Sequence, residues 1–297
     1  MNNRILVALP ADTHSGSTVS LCPEQWDLTD GNCHYPNQAQ RIINKQWDEC
    51  WGLINDLRKP KSRREQRAKL IIVHVGDAVE GAHHDSTQVI PSRIDEQERM
   101  HCHLMKTKMR SVNFDKDKGD AIYYVAGTDV HVGEGARSEE RIARDLEAVP
   151  YHKGFNDDDG KAVWHYLPMK IRGNLLDIQH EGPNIGTRAW TKENSLANTI
   201  KSLYFDCLET KQEIPRYFIR AHVHYNLQST YEGRRGSITG VILPAFQAAT
   251  HYIARKSVQR PSDIGMVIIE IDDEGNARHI VEKLEVSING KVVEIED

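Results

Sequence analysis

The sequence predicts an α/β fold in which two mixed β-sheets pack together with helices outside. Short β-branched runs recur along the chain, and helix-period stretches alternate with them in the first half. After residue 160 one long helical stretch gives way to closely spaced strands with turn signals between them. A β-α-β start joined to a strand-rich end closes as a layered sandwich around one continuous core. No repeat, low-complexity tract or clear linker divides the 297 residues, so residues 1–297 are read as a single domain.

The strands are expected at 5–9, 70–75, 121–125, 175–178, 217–221, 238–243 and 266–271, each a short apolar run rich in Val, Ile, Leu and Tyr. A helix is expected over 38–57, where Ile42, Ile43, Trp47, Trp51 and Ile54 share one face, with others near 96–111, 138–146 and 193–213. Glu232-Gly233-Arg234-Arg235-Gly236 and Asp272-Asp273-Glu274-Gly275-Asn276 mark hairpin turns. Residues 15–37 and the acidic stretch 156–161 read as surface loops.

Composition sets limits on function. Hydrophobic residues make up 39% and charged residues 27%, as in ordinary globular proteins, and no segment has the apolar length of a membrane span. The apolar run at residues 5–9 is too short for a secretory signal and is read as a strand. Five cysteines (Cys22, Cys33, Cys50, Cys102 and Cys207) are an odd number without framework spacing, which fits reduced thiols in the cytoplasm. A net charge of −5 gives no general attraction for nucleic acid or membranes, so local patches decide that question.

The chemistry gathers at strand ends. Asp12-Thr13-His14 follows the first strand, and Gly76-Asp77-Ala78-Val79-Glu80-Gly81 closes the second. Gly127-Thr128-Asp129-Val130-His131 follows the third, His180 the fourth, and His222-Val223-His224 the fifth. Each histidine alone is more often structural, and an Asp-x-His is often only a turn. Loops at strand ends, however, present side chains while the sheet fixes their spacing, and five ends agreeing points to one metal site. Aspartate oxygen and histidine nitrogen without cysteine suit Mn, Fe, Zn, Ni or Co better than Ca or a structural zinc. The candidates exceed one ion's needs. Two ions about 3.5–4 Å apart would use them and clamp both oxygens of an in-line phosphoryl displacement, with Asp77 as the candidate bridge.

This series of Asp-x-His, Gly-Asp-x-x-Glu-Gly, Gly-x-x-x-His, isolated His and final His-x-His resembles the calcineurin-like metallophosphoesterase superfamily, and its Gly-Thr-x-x-His form resembles phage and prophage versions. The motifs span residues 12–224, and the later strands suit the second sheet of a metallophosphoesterase-like sandwich. By that resemblance Asp12, His14 and His224 hold the first metal, His180 and His222 the second, and Asp77 bridges them. Two divalent ions are implied, with manganese favoured. Family members usually carry Gly-Asn-His at the third motif, where the Asn binds the second metal and the His assists the leaving group. Here Thr128 stands in the place of the Asn, which leaves Asp129 or His131 to complete the second site and implies looser binding of that metal. His131, the imidazole nearest the family's catalytic position, is assigned as general acid, with metal ligand and structural histidine as competing roles.

The expected reaction is attack on phosphorus by metal-bound hydroxide, without a protein nucleophile. Ser15 and Ser17 lack a recognisable relay, and no Gly-rich phosphate loop is present. Nucleic-acid phosphodiester hydrolysis leads, a nucleotide or small-molecule phosphatase follows, a protein phosphatase comes third, and a catalytically weak binding module stays open. The basic stretch at residues 59–69 and Arg255, Lys256 and Arg260 are candidate contacts to a nucleic-acid backbone, the first also readable as a solvated loop. Arg188, Trp190, His251 and Tyr252 are candidate pocket-rim residues, although core packing serves the last two equally well. Cys22, Cys33, His34 and Cys50 lack zinc-knuckle spacing, and His83-His84 and His101-Cys102-His103 stay unassigned.

Overall fold

A computed structural model describes residues 4–62, 65–82, 87–152, 160–184, 186, 188–251 and 262–284. Arg63, Arg64, His83, His84, Asn156, Tyr252, Arg255, Lys256 and Arg260, and the acidic residues 157–159, lie outside the described residues.

In chain order the elements are β1 (Ile5–Leu9), β2 (Trp26–Asp27), β3 (Cys33–His34), α1 (Gln38–Arg58), β4 (Lys69–Val75), α2 (Ile94–Ser111), β5 (Ala121–Val125), α3 (Asp129–Val132) and α4 (Arg137–Asp145). They continue with β6 (Leu167–Ile171), β7 (Asn174–Ile178), α5 (Asn194–Thr210), β8 (Tyr217–Arg220), β9 (Leu227–Gly233), β10 (Gly236–Ile242), β11 (Ile264–Ile271) and β12 (Ala277–Leu284). One sheet has the order β12-β11-β1-β4-β5 and the other β6-β7-β8-β10-β9. Both mix parallel and antiparallel pairs, as the sequence predicts.

The pleat explains the layers. Along β1, Leu6 and Ala8 join the core beneath α1 and α2, whereas Val7 and Leu9 join the core that also holds Leu176, Ile178 and Ile219 of the second sheet. A third cluster seats Leu196, Ile200 and Tyr204 of α5 on Phe218, Ile238 and Ile242. The order is therefore helices, sheet, sheet, helix. Trp47 of α1 meets Trp51 and, edge to face at 4.7 Å, Phe246. That contact fixes the loop after β10 against the helix layer.

The parallel pairs decide where chemistry can gather. β1 pairs in parallel with β4, and β4 with β5, while β7 pairs in parallel with β8. Parallel neighbours end at the same sheet edge, so the loops carrying Asp12, Asp77 and His131 emerge together from the first sheet, and those carrying His180 and His222 from the second.

Residues 15–37 differ from the surface loop expected. Ser15, Ser17, Ser20, Leu21 and Cys22 are buried, and only the stretch from Glu24 onward, with the β2–β3 hairpin, is largely solvent-facing. The turn residues hid this because their backbone groups bond across the fold. The Ser15 amide donates to the Ala78 carbonyl at 3.0 Å and the Thr18 amide to the Gln88 carbonyl at 2.9 Å. A capping box between Asn37 and Gln40 starts α1, and the Gln40 amide nitrogen also donates to the Ser17 carbonyl at 3.1 Å.

Candidate metal centre

The first strand delivers Asp12 and His14 through a turn whose backbone is left-handed at both residues, with φ of 48° and 41°. Asp77 (53°), His222 (72°) and His224 (57°) share this conformation. Five of the six expected metal ligands thus occupy a region that non-glycine residues seldom visit, and such strain persists where the surrounding structure enforces it for function. The sixth, His180, is held differently, with Nδ1 2.8 Å from the Val75 carbonyl.

These residues converge. Ligand atoms of Asp12, His14 and His224 lie within 4.8 Å of one another, as do those of Asp77, His180 and His222, and those of His14, Asp77 and His131. The Asp12 carboxylate accepts the His222 amide on Oδ2 at 3.1 Å, while its buried Oδ1 has no hydrogen bond. Around that Oδ1 stand His224 Nε2 at 3.4 Å, His14 Nε2 at 3.9 Å and His180 Nε2 at 4.0 Å. His14 Nε2 and His224 Nε2 face each other at 3.3 Å, two nitrogens turned to one point. Asp77 Oδ2 lies 3.1 Å from His180 Nε2 and 3.9 Å from His222 Nδ1. A buried carboxylate oxygen without a donor, ringed by imidazole nitrogens, fits a divalent cation of the Mn, Fe, Zn type.

Charge balance agrees. Burial alone would raise both carboxyls, but the imidazoles of His224 and His180 hold Asp12 below the usual carboxylate range, and those of His180, His222 and His14 hold Asp77 well below it. Burial works against a proton on His180, yet Asp77 and Asp12 outweigh it and push the group up to about 10. Anionic oxygen is thus available to a cation at neutral pH, and positive charge is favoured among the imidazoles.

The third motif splits three ways. Thr128 serves Asp77, donating its amide to Oδ1 at 2.7 Å and its hydroxyl to Oδ1 at 3.1 Å. Asp129 is exposed at the start of α3 and belongs to none of the three groups. His131 stands beside His14, with ring centroids 4.4 Å apart, and its Nδ1 is 2.7 Å from the Glu80 carbonyl. It therefore sits on the His14 side of Asp77, away from His180 and His222. Burial and the neighbouring His14 push its pKa down to about 4.

Glycines permit the close approach of these loops. A Cβ on Gly76 would collide with the His180 ring, and one on Gly127 with the backbone and carboxylate of Asp77.

Several supporting residues were not assigned from the sequence. Glu80 places Oε2 3.2 Å from His14 Nδ1 and accepts from the Gln247 side chain, a carboxylate–histidine arrangement that orients a ligand. Its place in Gly-Asp-x-x-Glu-Gly was the available signal. Glu139 of α4 accepts the Gly127 amide at 2.7 Å and the Ala78 amide at 3.3 Å, tying two site loops together, and burial pushes its carboxyl up to about 8. Below the Asp12–His14 turn, the Thr13 hydroxyl donates to the Ala78 carbonyl at 3.1 Å and lies 3.0 Å from His74 Nε2 and 3.2 Å from His101 Nδ1. His101 reaches the Tyr124 hydroxyl at 2.8 Å. The structure thus gives His101 a place beneath the site, while Cys102 packs in the core and His103 is solvent-exposed near Trp26. Cys22, Cys33, His34 and Cys50 form no ligand group among the described residues.

The site opens on the side of His222, whose side chain is 46% exposed, and His224, at 19%. On this side Lys192 Nζ lies 4.3 Å from the centre of the Tyr225 ring, next to His224. Trp190 is 78% exposed with the Arg188 guanidinium 6.0 Å from its ring. No helix among the described residues is long and apolar enough to cross a membrane.

Neither a protein-family model nor a curated protein matches the sequence. Among solved structures, the chain is similar to a conserved protein from Streptococcus pneumoniae described as a predicted phosphoesterase, at 10% identity and a TM-score of 0.33 over 94% of this chain and 98% of that one. It is also similar to Vacuolar Protein Sorting 29 from Cryptosporidium parvum, at 9% identity and a TM-score of 0.38 over 96% and 100% of the two chains. A third likeness is to the Thermus thermophilus sulfate thiohydrolase SoxB, at 10% identity and a TM-score of 0.40 over 94% of this chain and 56% of that one. The two mixed sheets flanked by helices are the architecture that the metallophosphoesterase resemblance implied.

Proposed function

We propose that this chain is a dinuclear metal-dependent phosphoester hydrolase, acting as a phosphodiesterase or nuclease on nucleic acid. One observation carries the reading: Asp12, His14, Asp77, His180, His222 and His224 converge at a common sheet edge, five of them on left-handed backbone. In this reading Asp12, His14 and His224 would hold one ion, His180 and His222 the other, and Asp77 would serve both. When bound, the ions supply Lewis acidity toward a phosphate and a water activated near neutral pH.

The chain's own residues prepare that site. Glu80 and Gln247 orient His14, Thr128 fixes the Asp77 carboxylate, and Glu139 holds the loops after β4 and β5 at their spacing. His131 is better suited to the ligand role than to that of general acid. Its Nδ1 faces a carbonyl and so carries the hydrogen, which leaves Nε2 a lone pair. Burial and the neighbouring His14, which lower its pKa, likewise favour the neutral ring that a ligand needs.

The mouth supports a nucleic-acid substrate. Two cation–aromatic pairs, Lys192 with Tyr225, the residue after His224, and Arg188 with Trp190, in the segment that follows His180, offer charge for phosphate and ring faces for bases.

The test is metal analysis of purified protein, followed by manganese-dependent hydrolysis of bis-nitrophenyl phosphate, mono-nitrophenyl phosphate, and single- and double-stranded DNA. Cleavage of the diester and of DNA supports the reading. Monoester cleavage alone would replace it with a nucleotide or small-molecule phosphatase, and bound metal without turnover would replace it with a binding module.

A further inference from the structure

A second charged feature lies far from the metal centre. Arg58, the last residue of α1, is buried, and its Nη1 donates to the Val112 carbonyl at 3.2 Å. The Arg67 guanidinium donates to the same oxygen, so two like charges are anchored side by side. The only lining carboxylate among the described residues is Asp120, and its oxygens are already engaged. Oδ2 accepts Arg58 Nη2 at 2.6 Å and the Asp115 amide at 2.9 Å, and Oδ1 accepts the Leu70 amide at 2.8 Å. Lys69 and Lys118 complete the walls, with Lys118 matched by Asp115 just outside at 2.8 Å.

These groups enclose a partly open cavity of about 410 Å³ with four cations and one carboxylate in its lining. Its volume falls within the ordinary range of small-molecule sites, about 300–1,000 Å³. Of the lining residues Arg58 is buried, and its Nε has no hydrogen-bond partner, although a buried guanidinium N–H normally has one. Burial lowers the Arg58 pKa below the usual arginine value and Arg67 adds to that, while Asp120 opposes both. Positive charge has therefore been concentrated where one carboxylate does not balance it, and an anion would relieve the repulsion.

We propose that this cavity is an anion site for a phosphate group, with Arg58 and Arg67 as its fixed donors and Lys69 and Lys118 as its mobile ones. Two guanidiniums set by a shared carbonyl present planar, preorganised N–H donors, the geometry suited to phosphate oxygens. The site is separate from the metal centre. Lys69 opens β4 and Asp120 precedes β5, whereas the candidate ligands follow the opposite ends of those strands. A seven-residue strand separates the two by about 20 Å, so one phosphate cannot touch both. The basic stretch at residues 59–69 is therefore partly built into the fold, through Arg67, and is more than a solvated loop.

The phosphate belongs either to a small anion or to a nucleic-acid backbone, and calorimetry of the full chain separates them. Inorganic phosphate and a twelve-nucleotide single strand are titrated separately into wild type, Arg67→Gln/Lys69→Gln, and Lys69→Gln/Lys118→Gln. The last pair alters only exposed side chains, and unchanged thermal melting confirms its fold. The expected result is a binding step weakened about tenfold or more in both variants and weakened by added salt in the wild type. Loss with inorganic phosphate assigns a small-anion site, and loss with the oligonucleotide alone assigns a backbone contact. Isotherms for both ligands that are identical in wild type and in the exposed pair would overturn the proposal, as would a wild type that binds neither.

Discussion

Thr128 donates its amide to Asp77 Oδ1 at 2.7 Å, and its hydroxyl reaches both carboxylate oxygens, Oδ1 at 3.1 Å and Oδ2 at 3.2 Å. Asp77 Oδ2 also faces His180 Nε2 at 3.1 Å and His222 Nδ1 at 3.9 Å. Thr128 thus supports the proposed bridging carboxylate without itself joining a ligand group. Thr128→Val keeps the amide bond and removes the hydroxyl. Manganese affinity, measured by calorimetry, is expected to fall about 10- to 100-fold, the usual effect of losing a group that orients a metal ligand. Unchanged affinity would mean that the hydroxyl contributes nothing to the site.

His131 separates two chemical roles. As a ligand, its loss lowers metal content and slows activated and unactivated esters alike. As general acid, His131→Ala would instead slow a poor leaving group about 100- to 10,000-fold and a nitrophenyl ester much less. His131→Ala is expected to show the first pattern, and rates on both esters together with metal analysis distinguish them.

Gly127 tests the closeness of the loops after β4 and β5. A methyl group there would overlap the Asp77 amide and carboxylate. Gly127→Ala is expected to lower stability by about 1–3 kcal/mol and to reduce metal binding sharply. Thermal melting and metal titration that match wild type would show that these loops can part without consequence.

A stability prediction concerns Glu270, on the strand beside β1. Burial would raise its carboxyl, but Lys61 at 2.8 Å, Arg4 at 2.7 Å and Arg278 at 2.6 Å outweigh that and pull it down to about 2. A carboxyl lowered on folding stabilises the protein above its unfolded pKa, near 4.5, and that contribution is lost as pH falls toward 2. Glu270→Gln is therefore expected to destabilise by about 2 kcal/mol at pH 7, with the gap from wild type closing below pH 4. Urea melts at both pH values measure it, and a gap independent of pH would argue against the ion cluster.

The sequence revealed those parts of the fold whose signals are local. Ile5–Leu9 is a continuous apolar run because both faces of this central strand are buried, and Ala121–Val125, although at the sheet's edge, is equally apolar because Ile122 and Tyr124 join one core and Val125 the other; the bounds of both match the expected ones. The edge strands β6, β9 and β12 escaped notice, since one side faces solvent and their sequences carry Pro168, Gln228 and Lys283 among the apolar residues. In the site, an aspartate or histidine just past an apolar run was recognisable at five strand ends. The partners of these residues were not. Gln247 meets Glu80 from 167 residues away, and Thr13 meets His101 from 88, contacts that no spacing rule encodes. The same holds for the anion cavity, which depends on Arg58 and Arg67 reaching one carbonyl at Val112.

Diffraction from crystals grown with manganese, recorded with anomalous signal, tests the central claim most directly. The account predicts two peaks about 3.5–4 Å apart, one against Asp12, His14 and His224, the other against His180 and His222, with Asp77 touching both. A lone peak away from Asp77, or no peak at these residues in protein that retains its fold, would contradict it.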